Sequence, residues 1–119
     1  MAFKVKFHAQ FVPEWRQLNM ALKERVGDIL DHLEDEGPFL GRPDVDTLNG
    51  SKHANMKEIR AKLGREMWRF AFAFDPIQRA VILCGSDKQG VNQQLFYKQL
   101  IAKADARFDD WLEKMNDGR

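Results

Sequence analysis

A chain of 119 residues with a formal net charge of +1 fits one domain, 1–119, long enough to bury a core without staples. Hydrophobic content of 44% and charged content of 31% exclude a disordered chain, and no run approaches the ~20 apolar residues of a membrane span. The lone Cys84 cannot form an internal disulfide and the N-terminus has no apolar h-region, so the expected setting is the cytoplasm.

Along the chain, Phe3, Val5 and Phe7 alternate with Lys4, Lys6 and His8, the period of a half-buried strand. Pro13 suits a first helical position, and Leu18, Leu22, Val26, Ile29 and Leu33 follow as one apolar helical stripe ended by Glu36-Gly37-Pro38. Phe39 to Ser51, rich in Gly, Pro, Asp and Asn, reads as a loop with Asn49-Gly50 as a turn. Three successive strands then occupy Met56–Gly90, the first two joined by a short hairpin at Leu63-Gly64-Arg65-Glu66 and the third running through Ala80–Cys84. On the second, Trp68, Phe70, Phe72 and Phe74 point to one face as core, while Arg69, Ala71 and Ala73 share the other, expected to be shallow and open. After Asn92, a cap, Tyr97, Ile101, Ala104, Phe108, Trp111 and Met115 recur at helical spacing. The expectation is an α+β domain: an N-terminal strand and helix, a three-stranded antiparallel sheet with the helices to one side, and a long C-terminal helix.

The near-neutral total hides a split. Asp28 to Asp46 holds seven acids against Arg42 alone, whereas Gly50 to Phe70 holds six bases against Glu58 and Glu66. Charge inside strands is costly unless paired or used. Glu58, Arg60 and Lys62 alternate on the first central strand, Arg69 interrupts the aromatics of the second, and Lys88 follows the third. Antiparallel pairing would gather these on one face, suited to a polyanion such as RNA. The competing reading is that the acidic helix simply pairs with the basic strands.

Metal chemistry finds little support, because His8, His32 and His53 are far apart and Cys84 has no ligand at the right spacing; no metal or cofactor site is expected, and His32 reads as a solvated side chain. Cys84, within an apolar strand, suits an inert core thiol better than the nucleophile of a hydrolase. Cutting RNA without a metal needs a base for the 2′-OH, cations for the charge growing on the phosphorane, and an acid for the leaving 5′-oxygen. Arg60, Arg69 and Lys88 can supply the cations. Glu58 is placed either as the base or as a brace that orients an arginine, and Tyr97 either supplies a proton, stacks on a base, or is a core-edge tyrosine.

Leu48-Asn49-Gly50, Lys57-Glu58-Ile59-Arg60 and Trp68-Arg69-Phe70-Ala71-Phe72-Ala73-Phe74-Asp75-Pro76 together resemble the signature of the RelE superfamily of toxins, and the tail Phe96–Phe108 is similar to its phage-derived, HigB-like branch. The resemblance implies the toxin of a type II toxin–antitoxin pair: a metal-independent, ribosome-dependent endoribonuclease (an mRNA interferase) that inhibits translation. It implies a small helix-turn-helix antitoxin as partner, with operator DNA bound only through that antitoxin. Carried over, Arg69 holds the scissile phosphate, Arg60 is partly structural, Glu58 matches an acid that some branches use as base, and Lys88 and Tyr97 fall near the family's last basic residue and C-terminal aromatic. Lys57, Lys62, Arg65 and Lys98 are the further bases expected to meet RNA. A non-catalytic RNA- or partner-binding protein of phage origin with the same fold is the alternative. If several phosphates are engaged, RNA affinity should fall steeply as salt is raised; a flat response would mean the charges are internally paired.

Overall fold

The structure, a computed structural model, describes residues 3–117. Strand β1 (Val5–Phe7) leads into helices α1 (Phe11–Arg16) and α2 (Met20–Glu36), followed by β2 (Val45–Thr47), β3 (Lys57–Leu63), β4 (Glu66–Phe74), β5 (Ala80–Asp87) and helix α3 (Gln93–Asp117). The strands form one sheet in the order β1-β5-β4-β3-β2, with β1 parallel to β5 and every other pair antiparallel.

The α+β class stands, with two differences in detail. The three expected antiparallel strands are the centre of a five-stranded mixed sheet. β1 joins one edge, and β2 joins the other from within the segment expected to be a loop. β2 is only Val45–Thr47, flanked by Asp, Gly and Pro, so its one buried apolar residue, Val45, leaves no readable alternation. The helices also lie on both faces rather than to one side. Ile59 and Ala61 of β3 and Phe70, Phe72 and Phe74 of β4 pack against Leu22, Val26, Ile29 and Leu33 of α2. Ala71 and Ala73 of β4, fully buried, lie with Val81 and Leu83 under Phe96, Leu100, Ala104 and Phe108 of α3. The face around Arg69 is therefore not open along its length. Alanine there makes room for a helix to approach the backbone, and only the end bearing Arg69 stays accessible.

The N-terminal helix is two helices. Pro13 falls in the first turn of α1, where a missing N–H breaks no intrahelical bond. α2 starts afresh at an Asn19 cap, whose Oδ1 accepts from the Leu22 N–H at 2.8 Å. Gly64, at φ 61°, makes the tight β3–β4 hairpin in a conformation that other residues adopt with strain.

α3 is pinned along its length. Arg107, 8% exposed, donates from Nη1 to the Leu83 carbonyl at 2.7 Å and grips Glu14 of α1 through Nη1 at 2.9 Å and Nη2 at 2.5 Å. Leu83 is the extra residue of a β-bulge, since Ala71 pairs with Cys84 while Phe72 pairs with Ile82, so its carbonyl has no ladder partner on β4 and takes the arginine. Asp105 accepts from the Ser51 hydroxyl, Asp109 pairs with His53 and Lys52, and Asp110 bonds His8 Nε2 at 2.7 Å. Trp111 donates to Asp75 Oδ2 at 3.0 Å. Burial alone would raise the Asp75 carboxyl, but bonds from the Arg79 N–H, the Trp111 indole and the Arg79 guanidinium outweigh it and hold the group below the usual carboxylate range. Two of the three histidines anchor a helix: His8 and His53 hold α3, while His32, expected as a solvated side chain, is exposed on α2. Replacing Arg107→Leu should lower unfolding stability by about 1–3 kcal/mol in a denaturant titration, because the Leu83 carbonyl is left unsatisfied and Glu14 unpaired.

Candidate active site

β3 and β4 set the site by register. Arg60 lies directly opposite Arg69, and Glu58 opposite Ala71, so period-two alternation places Glu58, Arg60 and Arg69 on the α3 side of the sheet. Two cations directly opposite each other repel. Glu58 relieves this: its Oε2 lies 3.3 Å from Arg60 Nη1 and its Oε1 3.8 Å from Arg69 Nε. The same Oε1 accepts a hydrogen bond from the Tyr97 hydroxyl at 2.9 Å, reaching across from α3. Glu58 is 4% exposed, a buried carboxylate enclosed by two guanidinium groups and a phenol.

Arg69 is held in turn. Its guanidinium carbon lies 5.6 Å from the ring centres of both Phe96 and Tyr97, within cation–π range, and Nη1 reaches the Met67 carbonyl at 3.4 Å. Its Nε is buried and, among the described residues, has no hydrogen-bond partner. Burial, the Glu58 charge and the bond to Glu58 together lift the Tyr97 phenol above its ordinary range, and Arg69 opposes them.

These side chains floor a cleft of about 790 Å³ between β2, β3 and the first turns of α3. Of the residues expected from the sequence, Glu58, Arg60, Arg69, Tyr97 and Lys98 line it. Lys88 does not: it follows β5, on the far side of β4 from the cleft. Lys57 alternates onto the opposite face, beside Phe72 and the α2 core. Lys62 shares the site's face but is exposed beyond Arg60, and Arg65 is in the hairpin turn; neither lines the cleft. Arg42, Asp46, Asn49, Gln93 and Gln94 also line it and escaped the sequence reading. Asp46 is the cross-strand partner of Glu58, a relation visible only once β2 is known to be a strand. Its carboxyl is held low by the Thr47 backbone N–H and by Arg42 and Arg60, against a smaller effect of burial.

Among the described residues, none of the acids on α2 forms an ion pair with the bases of β3 or β4; Asp28, Asp31, Glu34, Asp35 and Glu36 are exposed on the helix that covers the other face. The reading in which the acidic helix neutralises the basic strands is set aside by that placement. Among the described residues no group of three His, Cys, Asp or Glu side chains is arranged to hold a metal ion, and no helix is long and apolar enough to cross a membrane.

Residues 13–109 match the family model described as phage-derived protein Gp49-like. The chain belongs to this family. Over 101 residues it is 44% identical to a Mycobacterium tuberculosis protein named as toxin HigB3, covering 85% of this chain and 86% of that one. Over 95 residues it is 43% identical to a second protein of that organism, named as toxin HigB2, covering 79% of this chain and 47% of the longer relative. In structure it is similar to the free, mutated toxin RelE of E. coli, with a TM-score of 0.59 at 15% identity over 87% of this chain and 97% of that one. It is also similar to an archaeal chain from the RelE–RelB complex of Pyrococcus horikoshii, with a TM-score of 0.55 at 25% identity over 76% of this chain and all of that one. The Gp49-like protein is thus a HigB-like toxin of the RelE superfamily.

Cys84 has no part in the cleft. It lies in the core between β5 and α3 with Sγ 3.6 Å from the Leu100 carbonyl, and burial pushes its thiol up to about 12. Iodoacetamide at pH 7.5 should therefore leave the folded Gp49-like protein unlabelled by mass spectrometry and its activity intact; rapid labelling with loss of activity would restore a thiol nucleophile.

Proposed function

We propose that this toxin is a metal-independent endoribonuclease that cuts mRNA on the ribosome, in the cytoplasm, with the phosphate bound in the Arg60–Arg69 cleft. The observation that carries the reading is the pair of arginines set directly opposite each other across β3 and β4, oriented by one buried carboxylate and lining an accessible cleft. Guanidinium forks match the oxygens of a phosphate, and in a half-buried cleft their charge is worth more than in water. As the 2′-oxygen attacks, negative charge grows on the phosphorane oxygens, and Arg69 and Arg60 stabilise it where it forms. Neither cation has to move far, since Glu58 holds both and the Phe96 and Tyr97 rings flank Arg69. Exposed Lys98 at the rim attracts the backbone, and Lys62, Arg65, Lys57 and Lys88 add to the long-range field that steers RNA.

The partner is an antitoxin, here a small helix-turn-helix protein that carries the pair to its operator DNA. Support for a protein partner comes from the Pyrococcus neighbour, which was solved in a RelE–RelB complex.

Arg69→Ala should abolish growth arrest on induction and lower cleavage by about 10²–10³-fold. The fold should survive, because Glu58 keeps Arg60 and Tyr97 as partners. A variant as toxic as the parent would overturn the site. A parent that binds RNA but leaves its ends unchanged would point to the non-catalytic alternative.

A further inference from the structure

We infer that Glu58 is a positioning residue, which fixes the Tyr97 phenol and the two arginines, rather than the base that takes the substrate's proton. The inference rests on the RNA-cutting reading above and deepens it. A general base must present a free lone pair to the reacting hydroxyl. Glu58 sits at the floor of the cleft, only 4% exposed; Oε1 accepts from Tyr97, Oε2 from Arg60, and Arg69 Nε lies 3.8 Å from Oε1, so little of the carboxylate faces a substrate. To act as base it would become neutral in mid-reaction. Arg60 and Arg69 would then lose the charge that orients them at the moment they are needed on the phosphorane.

The direction of the Tyr97 bond is as informative. Glu58 has no proton to give when ionised, so the phenol donates to Oε1 and its hydrogen points inward. What Tyr97 offers the cleft it lines is the other side of its oxygen, the lone pairs. The tyrosine is thereby set to accept a hydrogen bond from a substrate hydroxyl. A proton supplied to the leaving oxygen would first have to be released from Glu58. The groups facing the phenol are Glu58 from β3 and Arg69 from β4, with Arg60 on the far side of the carboxylate.

Tyr97 is the only tyrosine in the chain, so its ionisation can be followed by phenolate absorbance with no assignment step. In the parent the midpoint should lie above the ordinary phenol value of about 10. Glu58→Gln, which keeps an acceptor oxygen but removes the charge, should bring it down. A parent that titrates at the ordinary value, or a midpoint unchanged in Glu58→Gln, would overturn the inference, and the first of these needs no variant to fold. In single-turnover cleavage of an RNA oligonucleotide or ribosome-bound message, Glu58→Gln should slow the reaction by about tenfold or more, because the arginines lose the charge that orients them, and keep the acidic limb of the parent's pH profile. Loss of that limb is the mark of a base and would also overturn it. If the parent cuts no RNA, the functional reading fails on its own, and the phenol titration still decides whether Glu58 holds Tyr97.

Discussion

The fold depends on α3 covering the second face of the sheet. β4 and β5 are apolar on both sides, and a single helical layer can satisfy only one of them. The other face carries Ala71, Ala73, Val81 and Leu83, a surface of mostly small side chains that shields little on its own but admits a helix closely. α3 is not left to apolar contact alone. Arg107 draws it toward the bulged edge of β5, and Asp105, Asp109, Asp110 and Trp111 tie it to the loops around the sheet. Such bonds are individually modest when exposed. Spread along one rod, they fix its rotation and its register, and that register decides which residue of its second turn meets Glu58.

Charge in the central strands answers two demands at once. Arg60 and Arg69 would repel without Glu58, and Glu58 would be a stranded buried anion without them. The cluster is close to balanced on the inside, yet two guanidinium groups still border the cleft. A fold-level cost, burying charge, is thus offset by neighbours that leave the cations facing the cleft. Among the described residues the buried Nε of Arg69 has no hydrogen-bond partner; it sits 3.8 Å from the carboxylate, so attraction there is electrostatic.

How legible this was varies with the physics of each element. Alternation along Trp68–Phe74 placed Arg69 on the face away from the aromatics, because side-chain direction in a strand follows from position alone. What covers that face does not follow from position, and the alanines that suggested an open surface are the ones packed under α3. β2 escaped because Val45–Thr47 carries one buried side chain, and with it went Arg42, Asp46 and Asn49 at the cleft. Lys57 is grouped with the site by sign of charge and Lys88 by charge and by its place after the third central strand; alternation sends the first to the other face, and strand order sends the second to the far side of β4. The Glu58–Tyr97 bond joins residues 39 apart on a strand and a helix. The motifs bring both to notice, while only the docking of α3 makes them neighbours.

That separation along the chain gives synthesis a bearing on chemistry. A ribosome making this protein delivers Glu58, Arg60 and Arg69 first, on strands whose second face is still bare, and Tyr97 only as the helix that covers them begins to emerge. Until α3 settles, Arg69 lacks both its flanking rings and Glu58 lacks its phenol. An unfinished copy therefore carries the cations before the rings and the phenol that hold them in place.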